Sequence, residues 1–166
     1  GVIEQYRRAA LNAREAGFDG VELHCTSGYL PMQFMASGSN QRSDRYGGTV
    51  ENRVRFAAEA LAAMAAAIGP GRVGLRLCPG NPYNDISDDD PVATASTLCR
   101  QVEPLGLAYL HIMRSPLTEL DAFALAQRHS SSGLILNDGF DGPSAAAALE
   151  AGQGVAVSFA RHFIAN

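Results

Sequence analysis

Apolar residues along this chain follow two alternating patterns, a helical spacing and short unbroken runs. Residues 2–16 carry them at helical spacing and Gly17 follows as a stop, after which 18–24 is typical of a buried strand. The same alternation predicts further helices over 50–68, 91–103, 117–129 and 141–151, and further strands over 73–77, 107–113, 134–137 and 155–159. Two of the helix starts have capping residues, Thr49 and Asp90. The order is helix then strand, five times over.

Helices and strands that alternate in this way form parallel sheets covered by helices. Two architectures then compete, a doubly wound open sheet and a (β/α)8 barrel. A full barrel takes about 250 residues and eight strands. Five strands, preceded by a helix and with no helix after the last one, fit a barrel that lacks its first three βα units and its last helix. We therefore predict an α/β fold, a partial TIM barrel of about five parallel strands, with residues 1–166 as the C-terminal portion of a single domain.

Composition narrows the classes of partner. The net charge is −4, and the chain has no basic stripe that would indicate a nucleic-acid partner. No apolar run approaches the ~20 residues that a membrane helix needs. Cys25, Cys78 and Cys99 are odd in number and lack CxxC spacing, which argues against a disulfide framework and a zinc site and favours the cytoplasm. The acidic residues within 85–90 are interpreted as a solvated edge rather than a metal site, with Asp90 as the helix cap.

Functional side chains of a parallel α/β barrel cluster where the strands end. The first such place here holds His24, Ser27 and Tyr29. A short turn of helix would put His24 and Ser27 on one side and direct Tyr29 at the same pocket. Two donors can hold a carbonyl oxygen and stabilise its growing negative charge, and a protonated tyrosine can act as a general acid. The alternative is that this histidine and this tyrosine are structural.

Two further places carry unusual chemistry. Arg76 stands in the otherwise apolar strand 73–77, where it needs an anion, strong acceptors or a buried salt bridge to a neighbouring strand. Polar segments follow the last two strands, at 137–141 and 158–161. Barrels often bind phosphate with the loops after strands seven and eight, where backbone N–H groups and a nearby arginine supply the donors.

A long motif surrounds the first of these places. It consists of AGFDGVELH over 16–24, GYL over 28–30, QF over 33–34 and SNQRSDRYGGTVENRVRF over 39–56. With this motif the chain resembles the Old Yellow Enzyme family, also called NADH:flavin oxidoreductases, and within that family the bacterial alkene reductases. The resemblance covers nearly the whole chain. Inside the motif, Arg42, Asp44, Glu51 and Arg53 are interpreted as a polar network that fixes a loop and a helix start.

The resemblance implies a role for each candidate residue. His24 and Ser27 would anchor the electron-withdrawing oxygen of the substrate, and Tyr29 would protonate its α-carbon. Arg76 would face the flavin ring and stabilise its anionic reduced form. The segments after the last two strands would hold the FMN phosphate, with Asp138, Gly139, Phe140, Phe159, Ala160 and Arg161 as the cofactor-binding residues.

Three positions depart from the family pattern. Ser27 stands where asparagine or histidine is usual, and its shorter side chain changes how a carbonyl can be anchored. Asp138 and Ala160 stand where glycine is common. Alanine is tolerated where φ stays negative, whereas an aspartate beside a phosphate is unfavourable unless it turns outward.

The implied reaction has two halves. NADH or NADPH reduces FMN, and the flavin then transfers hydride to the β-carbon of an activated, electron-poor alkene of the enone type. Two alternatives stay open. In the first, the chain is a catalytically incompetent barrel fragment that needs its missing front part or a partner chain. In the second, it belongs to another FMN barrel, such as a dienoyl-CoA reductase-like enzyme with an iron–sulfur cluster. No cysteine cluster in this chain supports the second alternative.

Overall fold

The computed structural model describes residues 1–164, which form a parallel sheet covered by helices. The strands are β1 (Val21–Cys25), β2 (Val73–Leu77), β3 (Tyr109–Met113), β4 (Gly133–Asn137) and β5 (Ala156–Ser158). The helices are α1 (Val2–Glu15), α2 (Leu30–Met35), α3 (Val50–Ile68), α4 (Pro91–Val102), α5 (Ala122–His129), α6 (Gly142–Glu150) and α7 (Arg161–Ile164). None of the helices in this range is both long enough and apolar enough to cross a membrane. Ala165 and Asn166, which the resemblance includes, lie outside the described residues.

The five strands pair in the order β1-β2-β3-β4-β5, and every pair is parallel. Strands that are neighbours in sequence are therefore neighbours in the sheet, as they are in a barrel. An open doubly wound sheet reverses its strand order at a switch point, and the observed order has no reversal between β1 and β5. Of the two architectures that the sequence allowed, the structure has the barrel type.

Successive residues of a strand point to opposite faces, and here they divide the sheet into an apolar face and a polar face. The apolar face packs against the helices, where Val54 and Leu61 of α3 are fully buried. Its largest buried strand side chains are Leu23, Leu75, Leu110, Ile112 and Leu136. The polar face carries the candidate functional residues.

Several helix boundaries test the predictions directly. The caps predicted at Thr49 and Asp90 are present, because each side chain accepts a backbone N–H of the first helical turn. The helix predicted over 117–129 begins only at Ala122, where Asp121 caps it. Two helices were missed: the six-residue α2, too short to show a helical period, and α7, which follows β5 where no helix was predicted.

The predicted polar network inside the motif is only partly formed. Arg42 pairs with Asp44, with Nε 3.0 Å from the carboxylate. Arg53 lies apart from that pair, since it is buried and donates to the backbone oxygen of Met35 at 2.8 Å. Its carboxylate partner is Asp88 at 3.4 Å, whose side chain is only 11% exposed. The interpretation of Asp88 as part of a solvated acidic edge is therefore wrong, because it is the counter-ion of a buried arginine.

Candidate active site

The polar face of the sheet gathers side chains from all five strands. The strand register aligns His24 of β1 with Arg76 of β2, and Arg76 with His111 of β3. On β4 and β5 it aligns Asn137 with Ser158. Because the strands are parallel, their last residues on this face meet at one edge. The residues at that edge are His24, Arg76, Met113, Asn137 and Ser158.

His24 and Tyr29 lie together at the end of β1. Their ring centroids are 5.2 Å apart, and Tyr29 is 56% exposed. Partial burial, followed by the nearby charge of Arg76, lowers the pKa of His24 and so favours a neutral imidazole at pH 7. A neutral imidazole keeps one N–H group, so His24 can donate a hydrogen bond to a ligand oxygen without carrying a charge.

The hydroxyl of Ser27 is connected to His24 through Thr26. Ser27 Oγ lies 2.9 Å from Thr26 Oγ1, which in turn lies 3.4 Å from Nε2 of His24. The predicted turn of helix across these residues is wrong, because Ser27 and Gly28 have φ values of 57° and 76° and form a left-handed turn. Nδ2 of Asn84, in the loop after β2, donates to the Ser27 carbonyl oxygen at 2.7 Å and holds this turn in place.

Arg76 stands at the centre of the candidate site. Its Nη2 donates to Oδ1 of Asn137 at 2.7 Å and lies 3.8 Å from the sulfur of Met113. Its Nε is buried and has no hydrogen-bond partner among the described residues. The sequence left open whether Arg76 meets an anion, a strong acceptor or a buried salt bridge. Within residues 1–164 its partner is a neutral acceptor, the amide oxygen of Asn137, and not a carboxylate. A buried donor without a partner costs about 1–3 kcal/mol, so Nε is positioned to contact a ligand.

All the residues predicted to bind a cofactor line one cleft beside Arg76. The cleft has a volume of about 870 Å³ and also includes Met113 and Asn137. Its predicted members are Arg76, Asp138, Gly139, Phe140, Phe159, Ala160 and Arg161. Arg161 is exposed, at the start of α7. The cleft therefore has two guanidinium groups, one half-buried in the sheet and one at the surface.

The loop after β4 has a left-handed backbone that Arg114 holds from the side. Asp138 and Gly139 have φ values of 75° and 73°. Arg114 donates from Nε to the Asp138 carbonyl at 2.9 Å and from Nη2 to the Gly139 carbonyl at 2.8 Å. Its guanidinium also lies 4.7 Å from the ring centroid of Phe140. Aspartate tolerates positive φ better than most residues, so Asp138 can stand where glycine is common.

Arg114 was not predicted as a site residue, although its position directly after β3 is one where functional side chains of a barrel cluster.

A group of polar residues that was also not predicted lies lower on the polar face. Nδ1 of the buried His111 is 2.9 Å from Glu22 Oε2, and Nε2 is 2.7 Å from Ser158 Oγ. Burial tends to raise the pKa of Glu22, but the hydrogen bonds from His111 and Tyr109 outweigh it, so this pKa lies below its ordinary value. Glu22 is therefore an ionised acceptor at neutral pH.

Comparisons with known proteins agree with this arrangement. A model of the NADH:flavin oxidoreductase / NADH oxidase family matches residues 1–166. A probable flavin mononucleotide-dependent alkene reductase from Leishmania infantum is 44% identical over 99% of this chain, and 12-oxophytodienoate reductase 1 from Oryza sativa subsp. japonica is 38% identical over 99%. This chain covers 46% of each of them, so it spans less than half the length of these curated relatives.

Solved structures show the same likeness in three dimensions. Morphinone reductase in complex with tetrahydroNAD matches with a TM-score of 0.94 at 42% identity, and the old yellow enzyme from Trypanosoma cruzi matches with a TM-score of 0.94 at 35% identity. Each match covers 100% of this chain and 46% of the other. The predicted fold class, five parallel strands of a partial (β/α)8 barrel, is confirmed.

Proposed function

We propose that this chain, which belongs to the NADH:flavin oxidoreductase / NADH oxidase family, forms the flavin-facing wall of an FMN-dependent reductase. In this proposal the enzyme reduces the electron-poor C=C bond of a small enone-type substrate, with NADH or NADPH as the source of hydride. The observation that carries the proposal is a single cleft that contains a buried donor on Arg76, without a partner among residues 1–164, and an exposed cation on Arg161.

FMN fits the donors that line this cleft. A flavin ring presents acceptors at N1 and O2, which suit the Nε–H of Arg76 that no described residue accepts, and a fixed cation there stabilises negative charge on the ring. Asp141 already occupies the start of α6, since its carboxylate accepts from Ser144 N at 2.8 Å. We therefore assign the phosphate to Arg161 and to the backbone around it. When bound, FMN supplies the hydride transfer that amino-acid side chains cannot perform.

Residues at the end of β1 and directly after it act on the substrate in this proposal. His24 and Ser27 donate hydrogen bonds to the electron-withdrawing oxygen and stabilise the negative charge that develops on it. Tyr29 supplies the proton that the α-carbon takes up. The place of Tyr29 beside the His24 ring supports this division of roles, as does the exposure of its side chain to a substrate.

A cytoplasmic location completes the proposal and is supported by the three cysteines, which are free and buried. A second candidate is that this chain alone is catalytically incompetent and acts only together with more of the barrel. Two observations favour it for the isolated chain. Within the described residues the sheet has open edges at β1 and β5, and the chain covers 46% of the relative from Leishmania infantum.

The test of the first candidate is flavin content and turnover of the purified gene product that contains this chain. We expect a yellow protein with bound FMN that oxidises more than one equivalent of NADPH or NADH per flavin under anaerobic conditions only when an enone such as 2-cyclohexenone is present. The product should be the saturated ketone. Arg76→Met, which keeps a long side chain but removes the donors, should lose most of the FMN. A colourless wild-type protein, or multiple-turnover oxidation of the nicotinamide at the same rate with and without the enone, contradicts the proposal.

A further inference from the structure

Five polar residues, one from each strand, are hydrogen-bonded in series across the polar face. Glu22 of β1 contacts His111 of β3, which contacts the hydroxyl of Ser158 on β5. The Ser158 carbonyl oxygen accepts from Nδ2 of Asn137 on β4 at 3.1 Å, and Oδ1 of Asn137 accepts from Arg76 on β2 at 2.7 Å. The series therefore ends at the residue whose Nε has no partner among the described residues.

We propose that Asn137 is a positioning residue that fixes Arg76 for the flavin ring without cancelling its charge, with the other three residues as support. This inference rests on the proposed function, in which Nε of Arg76 faces the ring. An arginine side chain has several rotatable bonds, and restricting them is unfavourable unless contacts hold the group. Because the guanidinium is planar and rigid, a bond at Nη2 also fixes the direction in which Nε–H points.

The amide of Asn137 satisfies its neighbours in one orientation only. In that orientation Nδ2 donates to the Ser158 carbonyl and Oδ1 accepts from Arg76. A flipped amide would place a donor against the guanidinium and an acceptor against the carbonyl. Ser158 is held in turn, because His111 is buried and its other ring nitrogen lies 2.9 Å from Glu22. The direction of Arg76 is therefore determined by contacts that reach across all five strands.

Charge explains why an amide stands at this position. An aspartate of nearly the same shape would also accept from Arg76, but it would form an ion pair and lower the positive potential at Nε. Asn137 offers the acceptor oxygen without the charge. On the same face, the carboxylate of Glu22 is engaged by His111. Arg76 consequently presents its cation to the cleft.

Two substitutions separate position from charge. Asn137→Leu removes the acceptor at similar volume, and Asn137→Asp keeps the acceptor while adding a negative charge. Ile135→Leu is the matched control, because Ile135 lies two residues earlier on the same strand and face and has no polar group. In the gene product that contains this chain, three quantities are to be measured: the FMN dissociation constant, the midpoint potential of bound FMN and the Tm of the FMN-free protein.

We expect Asn137→Leu to raise the FMN dissociation constant by about tenfold to hundredfold, the range for a hydrogen bond to a charged group. Asn137→Asp should lower the midpoint potential more than Asn137→Leu does, because it neutralises Arg76 while it keeps the contact with Nη2. Ile135→Leu should match the wild type in all three quantities. A merely structural Asn137 would change the Tm and leave the potential unchanged.

The outcomes distinguish this inference from the function on which it rests. Wild-type dissociation constants and potentials in both Asn137 variants, together with loss of FMN in Arg76→Met, would overturn the positioning role and leave the proposed function standing. Retention of FMN by Arg76→Met would instead remove Arg76 from the proposed function. If Asn137→Leu fails to fold, the nearly isosteric Asn137→Asp decides the question, and an unchanged potential overturns the inference.

Discussion

The imidazole of His24 and the phenol of Tyr29 lie with their ring centroids 5.2 Å apart and their planes tilted by 46°. The two rings come from opposite sides of the left-handed turn at Ser27 and Gly28, so the turn folds them back towards each other. A substrate whose oxygen is held by His24 would therefore lie beside the ring of Tyr29.

Tyr29→Phe should slow only the half-reaction that needs a proton. In the gene product that contains this chain, we expect alkene reduction to become about 10²- to 10⁴-fold slower, the usual loss for a general acid. Reduction of FMN by the nicotinamide should stay nearly unchanged, and rapid-mixing kinetics measure the two halves separately. The control is Tyr46→Phe. The hydroxyl of Tyr46 contacts Glu59 at 2.8 Å, and its loss should affect neither half. Equal slowing of both halves by Tyr29→Phe would mean that Tyr29 is structural.

Ser27→Asn should stabilise the protein and change how it binds carbonyl ligands. Ser27 has a φ of 57°, a left-handed conformation that costs most residues roughly 1–2 kcal/mol and that asparagine adopts more readily. The longer amide also reaches further than a hydroxyl, so affinity for an enone should change more than FMN content does. Urea unfolding and ligand titration measure the two effects.

Ser27→Ala is the control for that substitution. Alanine keeps the unfavourable φ and removes the contact with Thr26 at 2.9 Å, so this variant should be no more stable than the wild type. The explanation from backbone strain is wrong if Ser27→Asn is also no more stable, and the anchoring role is wrong if enone affinity is the same in all three proteins.

Arg161→Ala should weaken the retention of FMN. The side chain is exposed within the cleft, and a charge-assisted contact to phosphate is worth about tenfold to hundredfold in the dissociation constant. The measurement is the FMN that remains bound after gel filtration, supported by a direct titration of the FMN-free protein. Arg128→Ala, in the last turn of α5, removes an equal charge away from this cleft and should retain FMN like the wild type. Undiminished flavin in Arg161→Ala would exclude the phosphate role.

Strands and helices could be predicted because apolar runs, helical spacing and breaking residues are read from neighbouring positions in the sequence. The bounds of β2, Val73–Leu77, agree with the prediction to the residue, since an apolar run between Gly-Pro-Gly and a polar loop has one interpretation. Leu117 shows the limit of such patterns. It extends the helical spacing of α5 towards the N-terminus, yet it is 70% exposed, and the cap at Asp121 decides where the helix starts.

The candidate site was predictable in its members but not in its contacts. Arg76 stands out because a cation interrupts an apolar strand, and the motif identifies His24 and Tyr29. The contact of Arg76 with Asn137 is different, because β2 and β4 are not neighbours and the two side chains meet across β3. That contact depends on the register of three strands. No spacing along one strand contains this information.

The 166-residue chain produced alone should not be a competent reductase. Within the described residues β1 pairs only with β2 and β5 only with β4, and exposed parallel edges invite aggregation or pairing with another chain. Val155, beside β5, is 70% exposed and adds apolar surface at one edge. We expect poorly soluble or flavin-free material, measured by soluble yield and visible absorbance. A stable yellow monomer that reduces an enone would refute this prediction.

Gly74 and Tyr109 face each other across β2 and β3. A Cβ atom at Gly74 would lie 2.3 Å from the nearest ring carbons of Tyr109, far inside van der Waals contact. Moving the ring away is unfavourable, because it is half-buried and its hydroxyl is hydrogen-bonded to Glu22. Burial, and after it the nearby Glu22 carboxylate, raises the pKa of Tyr109 to about 12. The fit between these two residues is therefore tight and can be tested.

Gly74→Ala should destabilise the gene product that contains this chain by about 1–3 kcal/mol, measured by urea unfolding, because the Tyr109 ring must move to admit the methyl group. Gly71→Ala is the control, since a Cβ there meets nothing within 4 Å and its effect should be close to zero. If the ring causes the loss, Gly74→Ala should cost much less in a Tyr109→Ala background. The displaced phenol should also move from a pKa of about 12 back towards its ordinary value, seen in the tyrosinate absorbance. An equal loss of stability in both backgrounds would show that the ring is not the cause.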